Sequence, residues 1–382
     1  MINPYGPVPG EGWRDYRFTL MGRALAARGH DVTWWTSNFA HQSKRYRNAS
    51  HANDFKVELV PTPSYKANIG LGRLWFEFQF ARRLIAQVRS ARGPDVILAA
   101  DPPQFSGWAG RRLAEAHQVP FVIDCLDLWP ELFVNIAPAL FRPFVRLAVE
   151  PLFALRRKNV RAASLTITVA DRYRVPLERD GARRLLTIPI GVDISSFPER
   201  PNIASGPLKV VYAGTLGVAY DLMTVLEAFD MLQRDGIAID LIVAGQGPLE
   251  QRLRATAKNM KLENVHFIGA LAASELDRVY RSAGVGLAPY TRASTVAAPV
   301  KIFDYLAAGL PIVTSLQHDL GGAALRYEAG DPDSLRDVLS TLADHRDRLQ
   351  EMSTAAIALR PQFDARVLYD RLAAEIEAVT VR

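Results

Sequence analysis

Twelve short runs of β-branched and apolar residues recur along the chain, separated by longer segments with helical spacing, and this alternation restricts the possible folds more than any other feature. Strands joined through a helix-length crossover run parallel, because a tight turn reverses the chain and a crossover does not. In the first half the expected strands are 31–36, 57–60, 95–99, 121–123, 165–169 and 185–188. In the second half they are 210–213, 239–244, 265–268, 285–288, 311–314 and 324–327. The pattern predicts an α/β chain of two tandem doubly wound parallel-sheet, Rossmann-like domains.

At 382 residues the chain is longer than one hydrophobic core usually organises. The polar stretch 199–207, with two prolines and a glycine, reads as a linker between domains 1–200 and 201–382, and the terminal helix is expected to pack back on the first domain. Trp13, Tyr16, Leu20 and Ala24 mark one face of a first helix that Gly29 closes. A doubly wound domain normally opens with a full central strand, yet only Met1-Ile2 precedes the loop-like Asn3-Pro4-Tyr5-Gly6-Pro7. A start upstream of Met1 is the expected explanation.

The net charge of +6 is uneven: residues 1–200 hold 28 Lys+Arg against 18 Asp+Glu, and residues 201–382 hold 18 against 22. A basic half can meet nucleic acid, anionic lipid or phosphorylated substrates, but no nucleic-acid module is recognisable, so nucleic acid is not expected as a partner. Within 132–161, Phe133, Leu140, Phe141, Phe144, Leu147, Leu152 and Phe153 interleave with Arg142, Arg146, Arg156, Arg157 and Lys158, which suits an anionic membrane surface. No segment approaches the ~18–20 apolar residues needed to span a bilayer. The single cysteine, Cys125, lies in an apolar run, reads as a core thiol and suits a reducing compartment. A cytoplasmic protein, peripheral at the inner face of the plasma membrane, is the expectation.

Three glycine-rich turns follow strands. Gly10 and Gly12, with Arg14 beyond them, would let backbone approach an anion at a helix start; a plain tight turn is equally open. Gly214-Thr215-Leu216-Gly217 is a turn suited to a diphosphate, and it lacks the Walker arrangement. Gly245-Gln246-Gly247-Pro248 fits a ligand loop or an ordinary strand-to-helix turn. In the segment 298–313, Pro299 near the start and Gly309 after the end bracket a helix. Lys301 and Asp304 then share one face, where a cation can meet phosphate and a carboxylate can accept from ribose hydroxyls. A surface Lys/Asp pair is the alternative.

Taken in order, Arg28–Thr33, Asp127-Leu128-Trp129-Pro130-Glu131, Ile188–Asp193, Ala213–Gly217, Gly245–Pro248, Phe267-Ile268-Gly269 and the 301–313 block resemble the GT-B-fold glycosyltransferases of family 4, group 1 type. The resemblance covers nearly the whole chain. It implies two domains facing a cleft, with a nucleoside-diphosphate sugar held by the second and an acceptor, here expected to be a lipid-linked glycan, held by the first. UDP is the expected base and GDP the second choice. Retention of configuration, metal independence and no cofactor are also implied. On this resemblance the catalytic residues are Asp127 and Lys301, and the substrate-binding residues are Gly10, Gly12, Arg14, Gly214, Thr215, Leu216, Gly217, Gly269, Val300 and Asp304.

Three positions depart from the family pattern. Val296 stands where an acidic residue eight positions before Asp304 reads the donor sugar. Thr215 and Tyr220-Asp221 stand where many relatives carry Arg and Lys, which shifts diphosphate neutralisation onto Lys301. Ile190 replaces a frequent asparagine. Two other functions are compatible with the architecture: a non-catalytic scaffold for polysaccharide assembly, which the missing carboxylate at Val296 makes conceivable, and a nucleotide-sugar 2-epimerase, which needs acid/base carboxylates or histidines around the sugar. None of the seven histidines, His30, His41, His51, His117, His266, His318 and His345, forms an evident catalytic pair in sequence.

Overall fold

The computed structural model describes residues 1–47, 54–68, 70–88, 93–197, 206–294, 296, 298–317 and 320–380. His51, His318 and most of the expected linker, including the 200/201 boundary, lie outside them. The chain forms two compact units, Met1–Gly191 with Arg366–Arg382, and Val192–Ala365.

The first unit contains β1 (Thr33–Ser37), β2 (Lys56–Val60), β3 (Ile97–Asp101), β4 (Phe121–Cys125), β5 (Leu165–Thr168) and β6 (Leu185–Thr187). Its helices are α1 (Arg17–Ala27), α2 (Leu71–Val88), α3 (Gln104–His117), α4 (Glu131–Ile136), α5 (Arg142–Ala148), α6 (Glu150–Ala162) and α7 (Arg174–Asp180). β1 pairs with β2, and β3 to β6 pair in sequence order, all parallel. Residues 1–3 fill the central position: Ile2 bridges Trp35 of β1 and Ala99 of β3, donating to the Leu98 carbonyl at 2.8 Å and accepting from the Ala100 amide at 2.9 Å. β3, β4 and β5 are buried at every residue, as parallel strands covered on both faces must be.

α1 begins later than its spacing suggested. Its first residue is Arg17, Trp13 is exposed, and the buried face runs through Phe18, Met21 and Leu25. Gly29, at φ 90°, does close it.

The second unit holds β7 (Leu208–Ala213), β8 (Ile239–Ala244), β9 (Val265–Gly269), β10 (Val285–Ala288), β11 (Ile312–Thr314) and β12 (Ala324–Arg326). They form one parallel sheet in the order β12-β11-β10-β7-β8-β9. Around it lie α8 (Leu222–Arg234), α9 (Glu250–Asn259), α10 (Ala273–Ser282), α11 (Val300–Ala307), α12 (Pro332–Asp344) and α13 (Arg346–Leu359). Leu208, Val210, Phe229, Leu241 and Leu287 are among its core residues.

α11 is fixed against the sheet by Tyr305. Its hydroxyl donates to the Leu287 carbonyl at 3.1 Å and accepts from the Ala213 amide at 3.0 Å, while its ring packs where a Cβ at Gly286 would stand 2.5 Å away. Only glycine fits that strand position.

The last helix, α14 (Ala365–Thr380), belongs from Arg366 onward to the first unit. Arg28 donates to Glu377 and Asp370 at 2.7–2.8 Å, and the buried Tyr369 hydroxyl accepts from the Gly191 amide at 3.1 Å. Beneath it Arg17 makes a bidentate pair with the fully buried Asp124, both bonds 2.8 Å, and also donates to the carbonyls of Ile188 and Pro189. No described helix is long and apolar enough to cross a membrane.

Candidate functional site

In the second unit the loops after β7 and β8 are pressed backbone to backbone. The Gly214 amide donates to the Ala244 carbonyl at 2.9 Å, Leu216 to Gln246 at 3.0 Å, and Gly245 to Gly269 at 2.7 Å. A Cβ on Gly245 would sit 1.8 Å from the Gly214 carbonyl oxygen, and one on Gly247 2.4 Å from that of Leu216. Gly245 and Gly247 are therefore required for loop packing, and Gly269 supports them through its carbonyl. Gly214, at φ 143°, keeps its Cα surface toward Lys301 instead.

Lys301 lies in the first turn of α11, after Pro299 as cap and Val300 as first residue. Both Lys301 and Asp304 are buried, at 7% and 6% exposure, which removes the reading of an ordinary surface pair. The Lys301 Nζ is 3.4 Å from the Tyr212 hydroxyl and would be 3.4 Å from a Cβ on Gly214. Tyr212 in turn donates to the Thr215 carbonyl at 2.6 Å, which sets the curvature of the 214–217 turn. Burial pushes the Lys301 ammonium well below the usual lysine range. Lys301, Gly214, Thr215, Leu216 and Gly217 are thus brought together at the carboxyl ends of parallel strands, where open α/β sheets bind ligands.

Val296 is half-buried and offers no carboxylate. Asp331-Pro332-Asp333, whose spacing could bridge a diphosphate through a metal ion, starts a helix instead: Asp331 caps α12 by accepting from the Ser334 amide at 3.1 Å.

In the first unit Asp127 is exposed, and its Oδ1 accepts from the Leu128 amide at 2.8 Å and the Tyr173 hydroxyl at 3.1 Å. The following Trp129-Pro130 bond is cis. Below it Arg156 donates twice to Glu131, at 2.5 and 2.7 Å, once to Asp180 at 2.6 Å, and to the Trp129 carbonyl at 2.8 Å. Arg156 and Phe153 therefore turn inward, unlike the basic and apolar surface residues the sequence suggested.

Gly10 and Gly12 take φ of 90° and 78° with open space around them. Their loop is held by Glu11, which accepts from Arg47 at 2.7 Å. It does not run straight into α1, because 13–16 intervene. Arg14 is half-buried beside it.

Two features escaped sequence reasoning. Arg73 stacks over Trp129 at 4.3 Å and Tyr5 at 4.7 Å, and donates to the Tyr5 hydroxyl at 2.9 Å and Glu77 at 3.0 Å. Arg73 also lines a cavity of about 240 Å³ whose other walls are mainly Leu71, Leu74, Trp129, Phe133 and Leu152. Nothing in the spacing of 5, 73 and 129 signals this convergence. Close by in chain order, Leu140, Phe141, Phe144 and Leu147 stand exposed, and α5 buries no residue.

The family model described as "Glycosyl transferase 4-like domain" matches residues 16–191, and the one described as "Glycosyl transferases group 1" matches 207–345. The chain belongs to the group 1 glycosyltransferases of GT-B fold. A GDP-mannose-dependent alpha-(1-6)-phosphatidylinositol dimannoside mannosyltransferase of Mycobacterium tuberculosis is 28% identical over 191 residues, 46% of this chain and 49% of that one. The chain spans about half the length of the curated relatives it matches. Among solved structures, a sucrose-phosphate synthase from Thermosynechococcus elongatus superposes with a TM-score of 0.74 at 15% identity, covering 95% of this chain and 92% of that one. Anabaena HepE in complex with UDP-glucose gives 0.68 at 17%, covering 99% and 98%.

Proposed function

We propose that this chain transfers a hexosyl group from a nucleoside-diphosphate sugar to a lipid-linked glycan acceptor, with retention and without a metal ion. The observation that carries the reading is Lys301, buried and facing the Gly214–Gly217 turn at the carboxyl ends of β7 and β8. A diphosphate in that turn meets backbone amides and the ammonium together. In the transfer, the bond from the anomeric carbon to the diphosphate oxygen breaks and the bond to the acceptor oxygen forms on the same face. The acceptor proton passes to the leaving phosphate oxygen, and Lys301 stabilises the charge that grows there. Asp304 accepts from the ribose, and Val300 and Gly269 border the nucleotide.

The first unit takes the acceptor. Asp127 orients the acceptor or stabilises the oxocarbenium-like carbon, Gly10, Gly12 and Arg14 contribute polar contacts, and the Trp129-walled cavity receives apolar parts of the acceptor. The exposed apolar residues of 140–147, with Arg142 and Arg146, hold the enzyme on the anionic cytoplasmic face of a membrane. The phosphatidylinositol-dimannoside acceptor named for the mycobacterial relative supports a lipid acceptor, and the two relatives' GDP-mannose and UDP-glucose leave both bases to be assayed.

The test is release of nucleoside diphosphate from a panel of UDP-, GDP- and dTDP-sugars, with and without membrane extract and with excess chelator. Extract-dependent release that survives chelation is expected. No release with any donor, while nucleotide still binds, overturns catalysis in favour of the scaffold reading that Val296 suggests. Release that stops in chelator and returns with manganese overturns metal independence.

A further inference from the structure

A lysine at 7% exposure ordinarily has a carboxylate beside it, because an ammonium taken out of water without a partner is strongly disfavoured. Lys301 instead faces three aromatic rings. Its Nζ lies 3.2 Å from the centroid of Tyr220, 4.5 Å from Tyr212 and 5.2 Å from Tyr290. The rings come from the end of β7, the loop before α8 and the residue that follows Pro289 after β10. They are held as a group: Tyr212 and Tyr220 meet edge to face at 5.8 Å, Tyr220 and Tyr290 are tilted at 5.1 Å, and Tyr220 and Tyr290 share a backbone bridge. The remaining side is Gly214, whose missing Cβ leaves the approach to Nζ open.

We propose that Tyr212, Tyr220 and Tyr290 form an aromatic cage that holds Lys301 as a cation with no ion-paired carboxylate among the described residues, so that a diphosphate entering over Gly214 supplies the anionic partner. This rests on the donor-site reading above. The physical advantage is specific. A carboxylate would stabilise the ammonium but compete with phosphate for it, whereas π faces stabilise the cation without supplying an anion that must be displaced.

Among the described residues, the phenols that face Lys301 carry no charge that would neutralise it. Burial pushes the phenols of Tyr212, Tyr220, Tyr290 and Tyr305 up, so they stay neutral. Asp304 shares that face of α11 one turn further on, and Asp221, next to Tyr220, accepts from the Thr224 hydroxyl at 2.9 Å. Burial lowers the Lys301 ammonium, and π faces turned to a cation act in the opposite direction.

The test uses the full chain and two readouts. Calorimetric binding of UDP, GDP and inorganic pyrophosphate reports the anion site. Competitive labelling of Lys301 with acetic anhydride across pH, read by mass spectrometry, reports its protonation without any ligand. Tyr220→Leu, which keeps bulk and removes the π face, should weaken whichever of these probes wild type binds by about fivefold or more. It should also move the labelling midpoint of Lys301 to lower pH. Tyr220→Phe, which keeps the face, should recover most of both. Tyr290→Leu repeats the comparison should circular dichroism show that Tyr220→Leu misfolds. If Lys301→Met binds all three probes as wild type does, the donor-site reading fails. If Lys301→Met loses binding while both leucine variants keep affinity and labelling midpoint, the donor site stands and the cage is overturned.

Discussion

Replacing Phe144 and Leu147 together with serine should detach the enzyme from anionic vesicles while leaving its fold intact. Leu140, Phe141, Phe144 and Leu147 are 77, 55, 69 and 75% exposed, and neither 139–141 nor α5 buries any residue. Full burial of such a side chain is worth ~1.5–3 kcal/mol, so moving these already exposed surfaces into an acyl boundary gains ~1–2 kcal/mol each. Arg142 and Arg146, on the same segment, add ~1 kcal/mol apiece at an anionic surface. The double substitution removes about half of the apolar gain, ~3 kcal/mol, or about a hundredfold in partition coefficient. Co-sedimentation with sucrose-loaded vesicles of phosphatidylcholine and phosphatidylglycerol, at low and high salt, measures this directly. Vesicle binding equal to wild type refutes the membrane assignment. A Tm drop of several degrees refutes it differently, by showing that the two side chains pack in the folded state.

Lys301→Met should lower kcat/KM by at least about tenfold to a hundredfold, through loss of a charge-assisted contact that strengthens as the diphosphate departs. Because it removes a buried ammonium with no ion-paired acid among the described residues, the Tm without nucleotide should hold or rise, and a fall of several degrees in thermal melts would contradict that account. Asp101 is fully buried, and burial raises its carboxyl to about 7, against ~3.9 in an unfolded chain. The folded state therefore binds the proton more tightly, and stability should fall as pH rises from about 4 to 7 and level off above. Asp101→Asn should flatten that slope in urea titrations and raise stability at pH 8, and an unchanged slope would clear Asp101. Gly245→Ala forces a Cβ to 1.8 Å from the Gly214 carbonyl oxygen at φ 153°. A loss of ~3 kcal/mol or more is expected in chemical denaturation, and near-wild-type stability would mean that the two loops separate easily.

The sheets were legible because strand signals are local. Each of the twelve apolar runs became a strand, with ends displaced by one or two residues at most positions, and Gly29 and Gly309 closed helices as their φ freedom suggests. Trp13 continues the helical spacing of α1 but lies outside it, because 13–16 lead into the helix without joining it. Lys301 was visible from its place after Pro299, but its surroundings were not. Tyr212, Tyr220 and Tyr290 each read locally as strand or loop aromatics, and only the order β10-β7 in the sheet, with the 217–221 loop folded against Tyr290, brings them round one amine. The same reason hid Arg73, whose partners Tyr5 and Trp129 come from distant segments. The glycines of 245–247 looked like ligand contacts or turn residues, since sequence carries no sign that a second loop's backbone lies 1.8 Å from a missing Cβ.

The return of the final helix to the first unit has a consequence for biosynthesis. Residues 366–380 leave the ribosome only after all of the second unit, yet Tyr369, Leu372, Ala373 and Ile376 are buried, and Tyr369 ties down Gly191 and stacks on Arg17. Domains usually mature in order of synthesis, N-terminal first. Here the order inverts: the second unit has every strand it needs while the first still waits for its last helix, with the Arg17–Asp124 pair uncovered. The nascent first unit thus carries an open apolar seam until residues 366–380 have been translated.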